Sequence, residues 1–361
     1  GVSFEHVDRA VTKVRFQLPG EYFLRLTANI DGRVVNDKLK VTVTKGKLNP
    51  ISVGSNNTCY INLSGELMCL GGGVTPTPIS GTALAIPGLD ELYSFDSDEE
   101  IHCARLKDGH VRCWGKRFGT GRGIDGDDTT FEKLDVPGIL NAKKIVTSQN
   151  TVCVLITDGK INCWGKFDAQ YGMLGNGLGL DSLVPVEVSS INTAIDLKLG
   201  KKHACTILSD KSVSCWGRKS VPGRSIALSP ERIEGLTVVD ELSLGGYHSC
   251  AITPGGGITC WGLDNRFGQQ GRGDNNSTRP QHQIGVVLNV NDATQLALGL
   301  FHTCFINTQG KVKCFGSNYF GQLGNGTRSN SFTPVEVIGV ENATKISSGD
   351  NHTCALQLDQ K

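Results

Sequence analysis

The sequence predicts an all-β chain, a seven-bladed β-propeller whose last blade is incomplete, preceded by a partial β-sandwich segment at the amino terminus. Three observations carry the prediction. Twelve of the 13 cysteines fall into pairs with a fixed ten-residue separation: Cys59 with Cys69, Cys103 with Cys113, Cys153 with Cys163, Cys205 with Cys215, Cys250 with Cys260 and Cys304 with Cys314. Successive pairs begin 44 to 54 residues apart, which is the length of one propeller blade. Glycine, at 46 of 361 residues, is about twice its usual ~7% share, while methionine and aromatics are sparse, as suits many tight turns and few long helices.

The unit of the repeat is a β-hairpin. Between the two cysteines of a pair stands a turn signal, Asp108-Gly109, Asp158-Gly159, Gly255-Gly256 or Gln309-Gly310, flanked by short apolar runs such as Cys153-Val-Leu-Ile and Lys160-Ile-Asn-Cys163. An even separation sets two cysteines opposite one another only when the loop holds an odd number of residues, as when a type I turn is followed by a left-handed glycine. Opposed residues of antiparallel strands have Cα atoms roughly 4.5 to 5.5 Å apart, which a disulfide accepts. Each bridge would close a short loop and contribute at most about 3 kcal/mol, so its main effect is to lock register. Zinc is disfavoured: the spacing lacks the close Cys-x2-4-Cys knuckle, and the few histidines complete no Cys2His2 set. Paired cysteines at this density point instead to an oxidising location, extracellular, at a cell surface or in a periplasm.

Around the hairpins stand further repeated segments. Asn318-Tyr-Phe-Gly-Gln-Leu-Gly-Asn-Gly326 is followed by Thr333-Pro-Val-Glu-Val337 and Ser348-Gly-Asp-Asn-His-Thr-Cys354, and the first of these recurs as Asn265-Arg-Phe-Gly-Gln-Gln-Gly271 and Gln170-Tyr-Gly-Met-Leu-Gly175. An aromatic-Gly follows the hairpin at Trp114, Trp164, Trp216, Trp261 and Phe315, and degenerates to Leu70-Gly71. This pattern resembles the repeats of the regulator of chromosome condensation family, which implies a seven-bladed propeller over residues 47–361. The first and fourth blades lack the Gln-Leu-Gly segment, and the second keeps only Phe118-Gly119, so their connecting loops should be reshaped. Seven opening strands are visible, at Gly54, Asp98, Ser148, Gly200, Gly245, Gly299 and Gly349, but six hairpins finish, so Cys354 is expected to be unpaired in this chain.

Residues 1–46 belong to no blade in this reading. They alternate as strands do, at Val14, Phe16 and Leu18, at Tyr22, Leu24 and Leu26, and at Leu39, Val41 and Val43, punctuated by Pro19-Gly20 and Asp31-Gly32. The run from Phe16 to Thr27 followed by Lys38 to Val43 resembles the last three strands of an immunoglobulin-like domain of the polycystic kidney disease type, a spacer, with a linker at Lys45 to Pro50. Gly1-Val-Ser-Phe4 has neither an initiator Met nor a signal peptide, so the chain reads as part of something longer.

His203, His248, His302 and His352 each stand two residues before a cysteine; equivalent positions in successive blades read as structural imidazoles and not as a catalytic or metal-binding ring. Asp96, Asp98, Glu99, Glu100, Asp125, Asp127 and Asp128 have the oxygen density of a calcium site but fit no EF-hand, and read as solvated acidic loops. Arg272-Gly273-Asp274 spells an integrin-recognition tripeptide in the slot that the next blade fills with Asn325-Gly326-Thr327, and reads as loop variation. Asn62, Asn275 and Asn325 head glycosylation triplets that matter only in a eukaryotic secretory pathway. No Gly-x-Ser-x-Gly, Gly-Lys-Ser/Thr or His-Glu-x-x-His motif is present.

Lys plus Arg (36) nearly balance Asp plus Glu (35), so no global field favours nucleic acid or an anionic membrane, and no apolar run reaches the ~18 to 20 residues of a membrane span. The expected function is an extracellular recognition module, not an enzyme: the adhesive part of a modular bacterial surface protein that contacts a protein or glycan through loops on one propeller face. No cofactor or metal is expected. Binding should draw on segments where the repeat relaxes, 73–88, 116–131, 218–228 and 272–282, with Arg117, Arg218, Arg224, Arg266, Arg272 and Tyr319 as anchors. The alternatives are an inhibitor of a secreted enzyme, or a guanine nucleotide exchange and chromatin role as in the family namesake, which the cysteine pattern and balanced charge oppose.

Overall fold

The computed structural model describes residues 14–15, 20–30, 33–43, 50–53, 57–62, 64–71, 79–98, 101–125, 129–166, 171–218, 221–262, 265–274 and 283–357. The predicted Lys45–Pro50 linker, apart from Pro50, and Glu99, Glu100, Asp127, Asp128 and Asn275 lie outside them. The chain divides into two compact units, residues 59–239 and residues 1–58 together with 240–361.

The unit of residues 59–239 is a succession of up-and-down antiparallel sheets. After the pair Leu67–Gly71 and Ile79–Ala85 come three four-stranded sheets whose strands follow chain order. The second repeat supplies Leu92–Asp98, Ile101–Leu106, Val111–Lys116 and Thr129–Asp135. The third supplies Ala142–Ser148, Thr151–Ile156, Ile161–Gly165 and Ser182–Glu187, and the fourth Ala194–Leu199, His203–Leu208, Val213–Arg218 and Ile226–Arg232. Second strands are buried along almost their whole length, while fourth strands are only partly covered. That explains why the middle of each repeat reads as a continuous apolar run: both faces of the strand meet protein. Val146, Cys153, Leu155 and Ile161 of the third sheet form one core with Leu197, Ala204 and Trp216 of the fourth. The Trp216 indole N–H donates to the Met173 carbonyl at 2.9 Å, as Trp164 does to Gly119.

All six predicted disulfides are present: Cys59 to Cys69, Cys103 to Cys113, Cys153 to Cys163, Cys205 to Cys215, Cys250 to Cys260 and Cys304 to Cys314. The Cα separations are 4.0 to 4.2 Å, closer than the roughly 4.5 to 5.5 Å expected of opposed strand residues, because the covalent bond holds the two strands together at that point. From Cys103 and Cys113 through to Cys304 and Cys314, the members of these five pairs stand directly opposite in register. The turn between them follows the expected chemistry: the Asp108 and Asp158 carboxylates accept the N–H groups of His110 and Lys160 at 2.9 Å, and Gly109 and Gly159 take φ of 88° and 86°. A Cβ on Gly109 would lie 2.8 Å from the Asn141 Cα, so both conformation and space exclude a side chain there.

In the other unit the fifth repeat supplies Glu241–Leu244, His248–Thr253, Gly257–Gly262 and Gly285–Val286, and the sixth Ala293–Leu298, His302–Asn307, Val312–Gly316 and Ser331–Glu336. The seventh repeat supplies two strands, Ala343–Ser348 and Thr353–Gln357, as the count of opening strands predicted. The sheet they begin is filled to four by the amino-terminal hairpin Gly20–Ile30 and Arg33–Val43, in the order Ala343–Ser348, Thr353–Gln357, Gly20–Ile30, Arg33–Val43. Phe23 pairs with Gln357 and Leu24 with Leu356, and the hairpin pairs internally from Gly20↔Val43 to Ile30↔Arg33. The sequence reading set these residues apart from every blade. The pairing has a plain cause: Thr353–Gln357 presents a row of backbone N–H and C=O groups, and an alternating hairpin of the same chain satisfies them. Cys354 stands opposite Ser347; its side chain is outside the described residues.

Candidate functional site

In a four-stranded meander the connections between strands 1 and 2 and between strands 3 and 4 emerge at one end of the sheet, and the 2–3 turn emerges at the other. All six sequence-predicted binding residues stand in or at the start of 3–4 connections. They therefore share an end of their respective sheets, although the structure gives them different environments.

Arg266 and Tyr319 come together in one cluster. The Arg266 guanidinium lies over the Phe267 ring at 5.6 Å. Phe267 meets Phe301 edge-on at 5.1 Å and Tyr319 edge-on at 5.8 Å, and Tyr247 stacks on Phe301 at 5.3 Å. Tyr247 and Phe301 occupy the same slot of consecutive repeats, immediately before His248 and His302, while Phe267 and Tyr319 come from the 3–4 connections. Tyr319 is 59% and Phe320 58% exposed. The loops that present these rings are held from within. The Gln270 N–H donates to Asn265 Oδ1 at 2.8 Å, and Asn265 Nδ2 donates to the Asp274 carbonyl at 2.7 Å. In the next repeat Asn318 makes the matching bonds to Leu323 N–H (3.0 Å) and the Thr327 carbonyl (2.9 Å), and Gln322 Oε1 accepts the Phe320 N–H at 2.9 Å. The Asn and Gln of the repeated segment are thus loop-closing residues, and the aromatic between them is what the loop displays.

Arg272 departs from the expectation of an exposed anchor. It is 7% exposed, and its guanidinium donates to the carbonyls of Cys260, at 2.5 Å, and of Gln283. Its long donor fork satisfies backbone groups at the end of a short fourth strand, and Asp274 is engaged by Asn265, so the Arg-Gly-Asp triplet is part of loop closure. Arg218 and Lys202 both lie over the Tyr171 ring, at 4.8 and 5.6 Å. Arg224 pairs with Glu231 at 2.6 Å. Arg117 begins a 3-10 turn, Arg117–Thr120, on a cleft of about 490 Å³ lined also by Arg122, Thr129, Phe131 and Glu132.

Two of the repeated histidines, His248 and His302, reach across to neighbouring sheets. His248 Nε2 is 2.7 Å from Thr303 Oγ1 and His302 Nε2 is 2.8 Å from Thr353 Oγ1, so each imidazole ties its sheet to the threonine of the next. Burial pushes His203 and His352 down to about 4, and burial together with the neighbouring His352 pushes His302 down to about 3. Asp96 is buried and accepts the Thr147 N–H at 2.9 Å, and Asp125 pairs with Lys166 at 3.0 Å. Among the described residues no group of His, Cys, Asp and Glu could hold a metal ion. Reasoning from sequence missed Tyr247, Phe301, Phe267, Tyr171 and Lys202. The signal for three of them was available: the slot before the repeated histidine varies among Lys202, Tyr247, Phe301 and Asn351, while that histidine and the glycine three residues before it stay fixed.

Residues 309–356 match the regulator of chromosome condensation (RCC1) repeat, and residues 239–269 and 293–322 match a second description of the same repeat. These segments are similar to RCC1-type repeats. The chain is 26% identical over 198 residues to the ultraviolet-B receptor UVR8 of Arabidopsis thaliana, covering 52% of this chain and 44% of that protein. It therefore spans less than half the length of that relative. Among solved structures, Prp20p of Saccharomyces cerevisiae superposes with a TM-score of 0.73 at 14% identity, over 99% of this chain and 96% of that one. The ectodomain of the Physcomitrella patens receptor kinase CR4 superposes with a TM-score of 0.52 at 18% identity, over 85% and 69%. The fold shared with Prp20p is the RCC1-type β-propeller.

Proposed function

We propose that this chain is an extracellular recognition module, the adhesive part of a modular bacterial surface protein, which binds a protein or glycan partner and does no chemistry on it. The observation that carries the reading is the row Tyr247, Phe301, Phe267 and Tyr319 with Arg266 at its edge. Rigid aromatic side chains and arginine supply the most binding energy for the least ordering cost, and here loop-closing Asn and Gln residues hold them in place beforehand. The six disulfides support an oxidising compartment. Two relatives give precedent for such a scaffold as a platform: CR4 carries it in an ectodomain, and Prp20p is described by its binding to Gsp1p and histones.

A second reading, inhibition of a secreted enzyme, is favoured by the adjacent exposed pair Tyr319 and Phe320, which could fill a substrate groove. One experiment separates the two. Labelled, oxidised chain is titrated onto a panel of whole cells and into a soluble extract of secreted proteins, beside Tyr319→Ala and a reduced, alkylated sample. Saturable cell binding that is lost on reduction and weakened in Tyr319→Ala supports the adhesive module. Capture of one soluble enzyme without cell binding sinks it in favour of the inhibitor.

A further inference from the structure

Resting on the recognition reading above and choosing protein over glycan within it, we propose that the sixth repeat carries an open docking slot for an extended segment of a partner protein. In that slot an aromatic side chain of the partner packs edge-on against Phe320, and a backbone carbonyl takes the Gly326 N–H. Asn265-Arg-Phe267 and Asn318-Tyr-Phe320 are the same stretch of the repeated segment, so Phe320 stands where Phe267 stands one repeat earlier. Phe267 is covered by the repeat that follows it: Phe301 meets it at 5.1 Å from the slot before the histidine, and Tyr319 at 5.8 Å from the 3–4 connection. The two matching positions after Phe320 hold no ring. Asn351 stands before the seventh histidine, and two residues alone join Ile30 to Arg33 in the seventh sheet, where residues 317–330 join strands 3 and 4 of the sixth. Phe320 is accordingly 58% exposed, while Phe267 is half-buried.

The backbone leaves the same gap. In the second, third and fifth repeats a loop glycine donates its N–H to the outermost strand of the following repeat: Gly123 to the Leu183 carbonyl at 2.8 Å, Gly177 to Leu228 at 3.0 Å and Gly273 to Phe332 at 2.9 Å. Gly326 occupies the slot of Gly273 in the same conformation, with φ of 78° against 77°, yet its N–H meets no acceptor among the described residues. The loop is already held in shape by Asn318 and Gln322, so docking on it needs little further ordering. What the fifth repeat receives from the sixth, a ring edge and a carbonyl together, is what an extended polypeptide offers; a sugar has hydroxyl acceptors but no aromatic edge. Exchanging water for a carbonyl on an exposed N–H changes little free energy. The ring contact therefore supplies the affinity, and the carbonyl sets the register.

The probe is a labelled cyclic peptide copying residues 317–333, the segment whose Tyr319 and Phe332 fill the matching slot of the fifth repeat. It is titrated onto the oxidised chain by fluorescence anisotropy, beside a labelled neutral oligosaccharide. Saturable peptide binding is expected, weakened at least about tenfold by Phe320→Ala in the chain or by Tyr319→Ala in the peptide. Phe320→Tyr should keep the affinity within about twofold, as should Leu178→Ala, which alters an exposed side chain in the third repeat's loop. Because the Phe320 ring is largely exposed, Phe320→Ala should leave the urea midpoint unchanged, which separates lost contact from lost fold. Amide exchange at Gly326, followed by NMR, should slow when the peptide is added. Absence of saturable binding, equal loss in Phe320→Ala and Leu178→Ala, or unchanged exchange at Gly326 overturns the slot, as does Phe320-dependent binding of the oligosaccharide without binding of the peptide. If the peptide fails while Tyr319-dependent cell binding persists, the slot alone falls. If the peptide binds and cells do not, the adhesive reading alone falls.

Discussion

Tyr319 and Arg272 are both polar-tipped, both in 3–4 connections and both attractive as anchors, yet burial assigns them opposite tasks. The exposed tyrosine makes an edge contact with Phe267 and has most of its surface left for a partner. Tyr319→Ala should therefore weaken partner binding about tenfold or more, with a denaturation midpoint within measurement error of the parent. Arg272 has its guanidinium on the Cys260 and Gln283 carbonyls, and truncating it leaves buried acceptors unmet. Arg272→Ala should cost about 2 to 3 kcal/mol in urea unfolding and affect binding only through that loss. Sequence could not tell these two residues apart, because the distinction depends on where a short fourth strand leaves carbonyls uncovered. What sequence did carry at this scale was the cysteine register, since a ten-residue separation around a left-handed glycine admits one opposed arrangement.

At the level of the element, the hairpin is the best-determined piece and the sheet edge the least. Each bridge closes a loop whose ends the hairpin already holds together, so replacing Cys304 and Cys314 together by serine should lower stability by up to about 3 kcal/mol. The effect is read from the shift of the urea midpoint, with the remaining five bridges intact by mass analysis. The amino-terminal hairpin was legible as two alternating strands, but its partner was not, because a period of two tells which face of a strand is apolar and nothing about which edge it joins. Its attachment rests on backbone pairing to Thr353–Gln357. Leu24→Pro removes the N–H at the Leu24↔Leu356 pair. Amide exchange in Thr353–Gln357 should accelerate in that variant while Ile161–Gly165 keeps its protection. Unchanged exchange in both would show that the hairpin does not guard that edge.

For the whole molecule, the buried histidines link stability to pH. His203 and His352, at about 4, and His302, at about 3, lie below the ~6.5 of an unfolded imidazole. A depressed histidine means that the unfolded chain takes up the proton first. The contribution of these groups is fully present above about pH 6.5 and is lost as pH falls toward 4, by roughly 3 kcal/mol per imidazole at most. Urea midpoints between pH 7.5 and 4.5 should fall steadily, and His302→Gln should flatten part of that slope. The repeat made this legible in outline, since four histidines in one slot announce a shared structural duty. The threonine partners became visible only once neighbouring sheets were side by side.

The pairing of Phe23 with Gln357 also orders events in time. A ribosome delivers Gly20–Val43 before Thr353–Gln357, so the hairpin has to wait for its partner strand while the repeats between them are made. Sheets such as that of residues 142–187 draw their strands from a short stretch and can close early, whereas the seventh sheet joins strands separated by nearly the entire chain and carries the largest loop-closure cost. Its closing is therefore expected to be the slow step of refolding. A circularly permuted chain, opened at the Asp158-Gly159 turn and joined from Lys361 to Gly1 through a flexible linker, would turn this long-range closure into a local one and should refold faster.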